Sequence, residues 1–568
     1  MPYDNLQQAS KALASAIRTK AEALTFSPTA ETVDLLEGAA LVKASQQVES
    51  MVSMVSATLL DGSSADWVRP ADWLTMPTLT QADNTFAGLF AVFPLGGNFV
   101  ALKANGAYTV DWGDGIVQNF ASDALAEHAY DFSAFDAINA TLTTAGYKQA
   151  LIKVTPQAGQ TLTDINLGIK HTKITALTTP CVGFLDMAVY SNTLVNLFLE
   201  HPSAGSARTI RLGLLESLVI SCAGLGSISY FLYSNKSLRN LVIEQTAATN
   251  MSYAFQLCSA LQNLYLDVTC PNLYNTFSAC TALNQVSRLN INGSCDATYC
   301  FQGCTSLKSV PDLVFNGSTI NASYMFNSTG LIETPNIAVM GSINANYMFN
   351  TCKNLVKTKA LDFSACTSYV SMFSGCESLV EVAPINLKAA GVSDMFSACT
   401  SLKQPPQITV NSAMSLSGLF KSSGLVRSVH SEWLTCTATI SSMNGMYASC
   451  PSLVELVIDN LYGATDIGQL TSSTPVNKVL LPNLSGITVA YSGTLTTNSG
   501  CLKQVAVPGI KDSFSVSNQM LSAAALNAIF NDLATVTGKT ITVTGNYGIT
   551  ESGYNPTIAT AKGWTVTA

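Results

Sequence analysis

Between residues 255 and 447 the apolar positions recur with a long period that suits neither a single helix nor a single strand. One aromatic residue opens each copy, a cysteine usually follows three residues later, and a leucine follows six residues later. Successive aromatics are 22–27 residues apart. Such a period is typical of a solenoid, because one copy cannot bury its own apolar face and its neighbours complete the core. The nine aromatic positions are Phe255, Phe277, Phe301, Phe326, Phe349, Phe373, Phe396, Phe420 and Tyr447.

The phrase SYVSMFSGCESLVEV, residues 368–382, resembles a reactive-cysteine site when it is met alone. A nucleophilic thiol needs an electropositive, partly exposed setting and a base, and no histidine falls in these phrases. The recurrence indicates a buried ladder instead. Two copies depart from it, with Thr329 and Ser423 in the cysteine position. The ladder residues are Phe255, Cys258, Leu261, Phe277, Cys280, Leu283, Phe301, Cys304, Leu307, Phe349, Cys352, Leu355, Phe373, Cys376, Leu379, Phe396, Cys399 and Leu402.

Each copy is predicted to form a helical turn at the aromatic–cysteine phrase and a short strand at segments such as LQNLYLDV and SLVELVI. With earlier leucines (Leu194, Leu218 and Leu238) in register, the predicted solenoid spans residues 158–515 in eleven to fourteen turns. The copy YAFQLCSALQNLYLDV at 253–268 resembles the BspA-like leucine-rich repeat, whose variant with Met before Phe is found in bacterial and phage surface proteins.

Residues 1–60 are predicted to form a helical attachment or oligomerisation region. One helix is expected over 4–25, and Ser27 and Pro28 then suit the start of a second helix. Apolar residues of that helix, from 41 to 55, follow steps of three and four, which is the seam of a coiled coil over about two heptads. Both a hairpin packed on its own chain and a self-associating stalk fit this pattern.

Residues 61–83 read as a linker with an unusual share of tryptophan and proline, including Trp67, Pro70 and Trp73. Tryptophan in a linker is expected to bury against a neighbouring domain or subunit. The phrase WVRPADWLTMP at 67–77 also resembles one found in tailed-phage tail and fibre proteins, which implies attachment to a particle.

Residues 84–157 show short strand-like runs separated by turn signals: NFVALKA, YTVDWG, INATLTT and QALIKVTP. The turn Trp112, Gly113, Asp114 and Gly115, followed by His128 and Tyr130, resembles a PKD-type immunoglobulin-like sandwich. Asp114 is expected to accept nearby backbone amides while the glycines adopt positive φ. A cation held by Asp111 and Asp114 is the alternative, although calcium takes six or more oxygen ligands.

Residues 516–568 are predicted to cap the array. Ser522 suits the N-cap of a helix with Leu526, Ile529, Phe530 and Leu533 on one face. KTITVTGN and AKGWTVTA then read as strands. A cap is expected because an open solenoid end invites pairing with other chains.

The composition of the chain argues against several classes of function. The chain has 568 residues, 48% of them apolar and 11% charged, with a net charge of -8 and no basic run that would indicate nucleic-acid binding. No apolar segment reaches the length of a membrane span, and the first twenty residues lack the apolar region of a signal peptide, so neither feature is expected. The 15 cysteines are expected to be mostly reduced and buried.

No catalytic, cofactor or metal site is predicted. The four histidines lack zinc-site spacing, and neither a P-loop nor a G-x-S-x-G elbow is found. A glycan depolymerase would need paired carboxylates. The densest acidic group is better explained as a solvated face: Asp362, Glu377, Glu381 and Asp394.

The predicted fold is multi-domain and mainly β: N-terminal helices, a PKD-type β-sandwich, then a BspA-like leucine-rich-repeat solenoid with a C-terminal cap. Together the resemblances imply a non-enzymatic phage virion fibre protein, made in the host cytoplasm without export. Its N-terminal region would bind other virion proteins, and its solenoid a host-surface glycan or protein. A homo-oligomer is expected, and the heptad seam permits a trimer. The alternatives are a neck, collar or capsid-decorating fibre and a bacterial adhesin.

Overall fold

A computed structural model describes residues 67–137, 142–175, 177, 180–200, 211–361, 366–388, 391–487 and 502–568. The predicted helices over 4–25 and around 41–55 lie outside these residues. The described part is mainly β, with a few short helices. It divides into two compact units. We call residues 67–331 and 335–350 the first unit, and residues 332–334 and 351–568 the second unit.

The first unit is built from strands and two short 3-10 helices, Gln81–Asp83 and Ala134–Ala137. Its strands are β1 Thr85–Val92, β2 Phe99–Asn105, β3 Tyr108–Asp111, β4 Val117–Phe120, β5 Ala126–Ala129, β6 Lys148–Pro156, β7 Asp164–Asn166, β8 Phe184–Ser191, β9 Asn196–Phe198, β10 Ser217–Cys222, β11 Leu225–Ser227, β12 Asn240–Asn250, β13 Asn263–Thr269, β14 Gln285–Asn292, β15 Cys295–Asp296, β16 Leu313–Phe315, β17 Thr319–Asn321, β18 Ile337–Val339 and β19 Ser342–Asn344.

The largest sheet of the first unit runs in the order β18-β16-β14-β13-β12-β10-β8-β1-β6-β3-β4. From β8 to β18 its neighbours are parallel, and in that register Leu218 pairs with Leu241 and Leu241 with Leu264. β1 is antiparallel to both β6 and β8. One sheet therefore joins the strands of residues 84–157 to the strands of the first repeats.

A second sheet, β5-β2-β7-β9, draws on the same two regions. The predicted strands NFVALKA, YTVDWG and QALIKVTP correspond to β2, β3 and β6. The prediction of a strand at INATLTT is wrong in its described part, residues 142–144. Here the Thr143 N–H donates to the Tyr147 carbonyl at 2.9 Å, and Gly146 at φ +83° closes a tight turn that no strand could contain.

The second unit holds the helices α1 His430–Trp433, α2 Ala523–Asp532 and α3 Thr557–Thr560, and the 3-10 helix Tyr547–Thr550. Its strands are β20 Cys366–Ser368, β21 Ile385–Leu387, β22 Ile408–Val410, β23 Arg427–Val429, β24 Leu434–Cys436, β25 Glu455–Val457, β26 Lys478–Leu480, β27 Gln504–Ala506, β28 Phe514–Ser515, β29 Lys539–Thr542 and β30 Trp564–Thr567. Parallel pairing joins β21-β22-β24, β23-β25-β26-β27 and β28-β29-β30.

The C-terminal elements follow the sequence prediction closely. Ser522 is the N-cap of α2, where its Oγ accepts the Ala525 N–H at 3.2 Å. Leu526, Ile529 and Phe530 are buried on one face of that helix. The two predicted strands are β29 and β30.

The aromatic–cysteine phrase is not a helical turn, contrary to the sequence prediction. In the copy at 253–258, alternate amides point in different directions: Ala254 and Gln256 donate within their own turn, whereas Phe255 and Leu257 donate to Thr276 and Ser278 of the next repeat. The chain alternates in this way because residues at positions such as 253 and 257 take positive φ, which reverses the direction of successive peptides. Tight turns bonded between repeats therefore replace the helix.

The anchor rings stack along each unit with the repeat. In the first unit Phe255, Phe277, Phe301, Phe326 and Phe349 stack at 5.3–5.6 Å between centroids, with planes within 14° of parallel. In the second unit the stack of four rings runs at 5.6–5.9 Å: Phe373, Phe396, Phe420 and Tyr447. All these side chains are fully buried, as are the cysteines and leucines predicted for the ladder.

Replacing one anchor ring should destabilise the fold strongly. We expect Phe301→Ala to cost about 3–5 kcal/mol in the free energy of unfolding, because it opens a cavity between two stacked rings. Denaturant unfolding of the full chain measures this loss. Val314→Ala is the control, since Val314 is 49% exposed and its truncation should change stability by less than about 0.5 kcal/mol. Equal losses for the two variants would contradict the stacked core.

Candidate functional site

The ladder thiols are hydrogen-bond donors inside the repeat core. In three repeats of the first unit the Sγ lies close to a backbone carbonyl of the preceding repeat: Cys258 to Leu232 at 3.2 Å, Cys280 to Phe255 at 3.2 Å and Cys304 to Phe277 at 3.3 Å. In the second unit, Cys399 reaches Phe373 and Cys450 reaches Phe420 in the same way. A thiol combines a small apolar volume with a weak donor, so it fills this position without leaving a polar group unpaired.

Burial keeps these thiols protonated. Loss of water raises the pKa of Cys304 to about 12 and raises the pKa of Cys280, Cys376 and Cys399. A thiol with a raised pKa carries almost no thiolate at neutral pH and is a poor nucleophile. Among the described residues, no group of three or more His, Cys, Asp and Glu side chains could hold a metal ion. The ladder is therefore structural.

The acidic residues that the sequence places closest together do not converge on a site. Glu377 forms an exposed ion pair with Lys353 at 2.8 Å. The backbone of Glu381 bridges to Lys357. Asp394 belongs to another repeat, and Asp362 lies outside the described residues. An exposed pair of this kind contributes about 0–1 kcal/mol, as expected of a solvated face.

The turn at 111–115 brings together the residues that the sequence pattern singled out. Asp114 Oδ2 lies 2.7 Å from His128 Nε2, and the His128 ring stacks on Trp112 at 4.9 Å. The Tyr130 hydroxyl donates to the Trp112 carbonyl at 2.6 Å. Gly113 has φ +76°, and a Cβ there would lie 2.6 Å from the backbone nitrogen of Leu151. The likeness to a PKD-type domain stays a prediction.

The two turn carboxylates already have backbone partners. Asp111 Oδ1 accepts the Gly113 N–H at 3.0 Å, and Asp114 Oδ1 accepts the Ile116 N–H at 3.1 Å. These are the hydrogen bonds of Asx turns. The turn explains both acids without a cation.

The Trp/Pro segment packs on the sheet of the first unit. The Trp67 indole donates to Glu216 at 2.9 Å, the Trp73 indole donates to the Tyr147 hydroxyl at 2.8 Å, and Trp73 is 6% exposed. The Pro70 carbonyl accepts the Trp73 N–H at 3.1 Å, which closes the turn between the two indoles. Trp73 is thus buried, and Trp67 half-buried, against the chain's own fold.

An ion pair also holds the Trp/Pro segment against β8 of the first unit. Arg69 Nε donates to Asp186 at 2.8 Å, and another guanidinium nitrogen reaches the Leu74 carbonyl at 2.6 Å. The Arg69 guanidinium also lies 5.4 Å from the Trp73 ring centre. Burial raises the pKa of Asp186 although Arg69 favours its ionised form. Removing either charged partner would leave the other poorly solvated, which is costly.

A cleft of about 400 Å³ opens beside this segment. Its charged groups already have partners: Asp72 accepts the Thr144 hydroxyl at 2.7 Å, and Glu216 lies 3.6 Å from Arg239. A ligand in this cleft would therefore meet aromatic side chains, and Asp72 and Glu216 only as groups that already have partners. Its lining includes Pro70, Asp72, Trp73, Phe93, Tyr147 and Arg239.

A buried polar cluster surrounds the one tyrosine anchor. The Tyr447 hydroxyl lies 2.8 Å from Ser428 Oγ and 3.0 Å from His430 Nε2, and the Trp433 indole donates to Ser428 at 3.0 Å. Burial lowers the pKa of His430 to about 3, so the imidazole is neutral. All four side chains are at most 3% exposed, which excludes access by a substrate.

Six tyrosines form a row along the first unit, which we call the tyrosine track. Neighbouring ring centres are 4.5–5.8 Å apart, and the rings stack nearly parallel at Tyr230–Tyr253 and from Tyr299 through Tyr324 to Tyr347. Sequence reasoning missed this row. The signal was present, because a tyrosine stands two residues before four of the anchors. The track is Tyr230, Tyr253, Tyr274, Tyr299, Tyr324 and Tyr347.

The backbone of the track is unusual for tyrosine. Five of its residues (all but Tyr274) have φ of 55–58°, the left-handed region that bulky side chains rarely adopt. In the second unit the same place before each anchor holds small or polar residues: Ser371, Asp394, Gly418 and Gly445. A residue held in a sparsely populated conformation costs about 1–3 kcal/mol. The repeat therefore does not need tyrosine at this place.

Comparison with known proteins identifies the repeats. Residues 226–356 and 290–403 match the family described as BspA type leucine rich repeat region, in six copies. A leucine-rich repeat protein from Bacteroides ovatus, of known crystal structure, is 14% identical with a TM-score of 0.23, covering 50% of this chain and 88% of that one. A TM-score this low does not establish a shared overall fold. No curated protein matches the chain.

The chain therefore contains a β-solenoid of BspA-like leucine-rich repeats. The match covers residues 226–403, a shorter stretch than the predicted 158–515. No helix in the described ranges is long and apolar enough to cross a membrane.

The ladder thiols should resist alkylation in the folded protein. With iodoacetamide at pH 8, we expect Cys181 to be labelled because it is exposed, while Cys280, Cys304 and Cys399 remain unlabelled. Peptide mapping by mass spectrometry measures each site, and a sample unfolded in guanidinium provides the reference for complete labelling. Labelling of Cys304 at the rate of Cys181 would contradict a buried, protonated ladder.

His430 should make the protein less stable in acid. Its pKa is lowered in the folded state, so between about pH 6.5 and 3 the unfolded chain binds the extra proton. Stability then falls as pH falls, by about 1.4 kcal/mol per pH unit at most. His430→Gln keeps a polar group beside Tyr447 but does not titrate. We expect the loss of unfolding free energy from pH 7 to pH 4.5 to be smaller in this variant, and identical slopes would contradict the assignment.

Proposed function

We propose that the chain is a virion fibre protein of a tailed phage, which presents its leucine-rich-repeat solenoid to the host surface. Its N-terminal region, residues 1–60, attaches the chain to other virion proteins. The solenoid binds a host-surface glycan or protein without catalysis. The protein is made in the host cytoplasm and reaches the exterior as part of the particle.

The docked Trp/Pro segment is the observation that carries this proposal. The phrase WVRPADWLTMP, which resembles a phrase of phage tail and fibre proteins, packs on the first unit through the Trp73 indole and the Arg69–Asp186 pair. An attachment region that precedes this segment is thus coupled to the solenoid by buried contacts. Such a junction suits a protein that must transmit binding at one end to a particle at the other.

The chemistry of the repeats supports a binding role. Their thiols are buried and protonated, and the neutral His430 is enclosed. What the described repeats offer to solvent is mostly hydroxyl and amide side chains, beside the exposed Tyr230 and the half-buried tyrosines that follow it. These groups suit recognition by shape and hydrogen bonding.

The same attachment region is expected to hold a homo-oligomer. Its apolar seam over residues 41–55 is short, so assembly would rest on the particle as well as on the seam. A neck, collar or capsid-decorating fibre built from the same modules would share this attachment but would not bind cells.

Location on the particle and adsorption to cells test the proposal together. Antibodies raised against the purified full chain, applied to purified virions of the phage that encodes it, should label fibres in immunogold electron micrographs. The fluorescently labelled chain should adsorb to host cells, and unlabelled chain should slow virion adsorption in proportion to its occupancy of the cells.

Two results would count against this function. Label confined to the neck or capsid, with no adsorption to cells, would favour the structural alternative. Absence of label from the particle would exclude a virion protein altogether. Bovine serum albumin at the same concentration is the control for non-specific competition.

A further inference from the structure

We infer that the tyrosine track is a binding site for a neutral linear polysaccharide. This inference rests on the proposed function and deepens it, since it gives the host-binding solenoid a site and a ligand class. Four properties of the track support it. The repeat fold does not require tyrosine there, the rings present polar hydroxyls, the backbone groups beneath them are already hydrogen-bonded, and the flanking residues include no Lys or Arg.

The fold alone does not explain the tyrosines. The second unit builds the same turn with Ser371, Asp394 and two glycines, residues that the left-handed conformation tolerates better. Five tyrosines of the track keep that conformation in the first unit. The backbone conformation is the same at these positions of both units, and what differs is the bulky side chain that the first unit places there. A side chain that its backbone conformation disfavours, repeated at one surface, is a mark of function.

The track presents ring edges and hydroxyls. Because Tyr299, Tyr324 and Tyr347 stack at 4.5–4.8 Å with planes within 25° of parallel, their faces cover one another and their edges remain. Tyr230, at the end of the row, is 43% exposed. Burial, and then neighbouring phenols, raise the pKa of Tyr253 and Tyr324, so these hydroxyls stay protonated and can donate. The result is a line of donors with the spacing of the repeats.

The backbone beneath the track is already satisfied. The amides of Tyr253, Tyr299 and Tyr324 donate to carbonyls of the next repeat at 2.9–3.1 Å. A peptide ligand that adds a strand needs free main-chain groups at a sheet edge, and these residues leave none. The ligand must therefore be recognised by side chains alone.

The flanks of the track are almost free of charge. Two or three residues before each of five tyrosines lies a row of Asn250, Asn272, Asp296, Asn321 and Asn344, whose side chains close turns. Three residues after four of the tyrosines stand amide side chains, of which the last three bond to one another: Gln256, Gln302, Asn327 and Asn350. Neither row contains Lys or Arg, so a polyanion such as nucleic acid finds no counter-charge.

A neutral polysaccharide meets these conditions. Its hydroxyls can pair with the phenols and flanking amides, and the apolar C–H faces of its sugar rings can contact the aromatic edges. A linear polymer also matches a row that extends over six successive repeats. Tyrosine supplies such contacts with little loss of side-chain entropy, which is why it is common in binding surfaces.

Binding to defined polysaccharides tests the site. The purified full chain is measured by biolayer interferometry against dextran, yeast mannan, guar galactomannan and barley β-glucan, with alginate as the polyanion. The double variant Tyr299→Ser, Tyr324→Ser places at the track the residue that the second unit uses at 371. Tyr547→Ser is the matched control, because Tyr547 is 52% exposed and lies outside the track.

We expect at least one neutral polysaccharide to bind and its Kd to rise by about tenfold or more in the double variant, as for hot-spot residues. The Kd of Tyr547→Ser should be unchanged. The single variant Tyr324→Phe, which keeps the ring stack, should weaken binding with an unchanged thermal midpoint. This variant keeps the test valid if the double variant folds poorly.

Three results would overturn the site: no binding of any of the four neutral polysaccharides, binding that survives in both track variants, or preferential binding of alginate. Adsorption of the same samples to host cells separates the two levels of the proposal. Cell adsorption that both track variants retain would exclude the track and leave the fibre function standing. No adsorption of the native chain would remove the fibre function itself.

Discussion

The alternation of amide direction in the aromatic–cysteine phrase is the constraint on which the repeats depend. Phe255 and Leu257 donate to the next repeat, while Ala254 and Gln256 donate within their own turn. Each repeat, or rung of the ladder, is therefore hydrogen-bonded both within itself and to its neighbour. That pattern holds neighbouring rungs at a fixed spacing. Identical side chains must then meet their own copies, which is why the anchor rings stack and thiols such as Cys280 reach a carbonyl of the preceding repeat.

The period of the sequence was enough to predict this stack. The cysteines and leucines predicted for the ladder are buried as expected, and Ser522 caps the predicted helix. Asp114 also accepts a nearby backbone amide, that of Ile116, as its place in the turn suggested. Local periodicity and turn chemistry carry this information because they depend on residues close in sequence.

Other features depend on partners that are distant in sequence. The left-handed conformation of Tyr253 cannot be read from its identity, since tyrosine rarely adopts it. The pairing of β1 cannot be read from the local sequence either, because β1 lies between β6 and β8 and about a hundred residues of chain separate it from β8. Tyr447 meets Ser428 and His430 only because α1 follows a neighbouring repeat.

The irregular rungs solve a problem that regular stacking creates. If every rung were identical, a segment could dock one place out of step and still bury its ring, its thiol and its leucine. Tyr447 disfavours such a shift in register. In any other position its hydroxyl would lose the hydrogen bonds to Ser428 and His430 while staying buried, which is costly. Thr329, bonded to its own anchor carbonyl at 2.8 Å, makes a second rung unlike the rest. The departures from the repeat thus specify which repeats pack beside one another, as single buried polar residues fix the register of coiled coils.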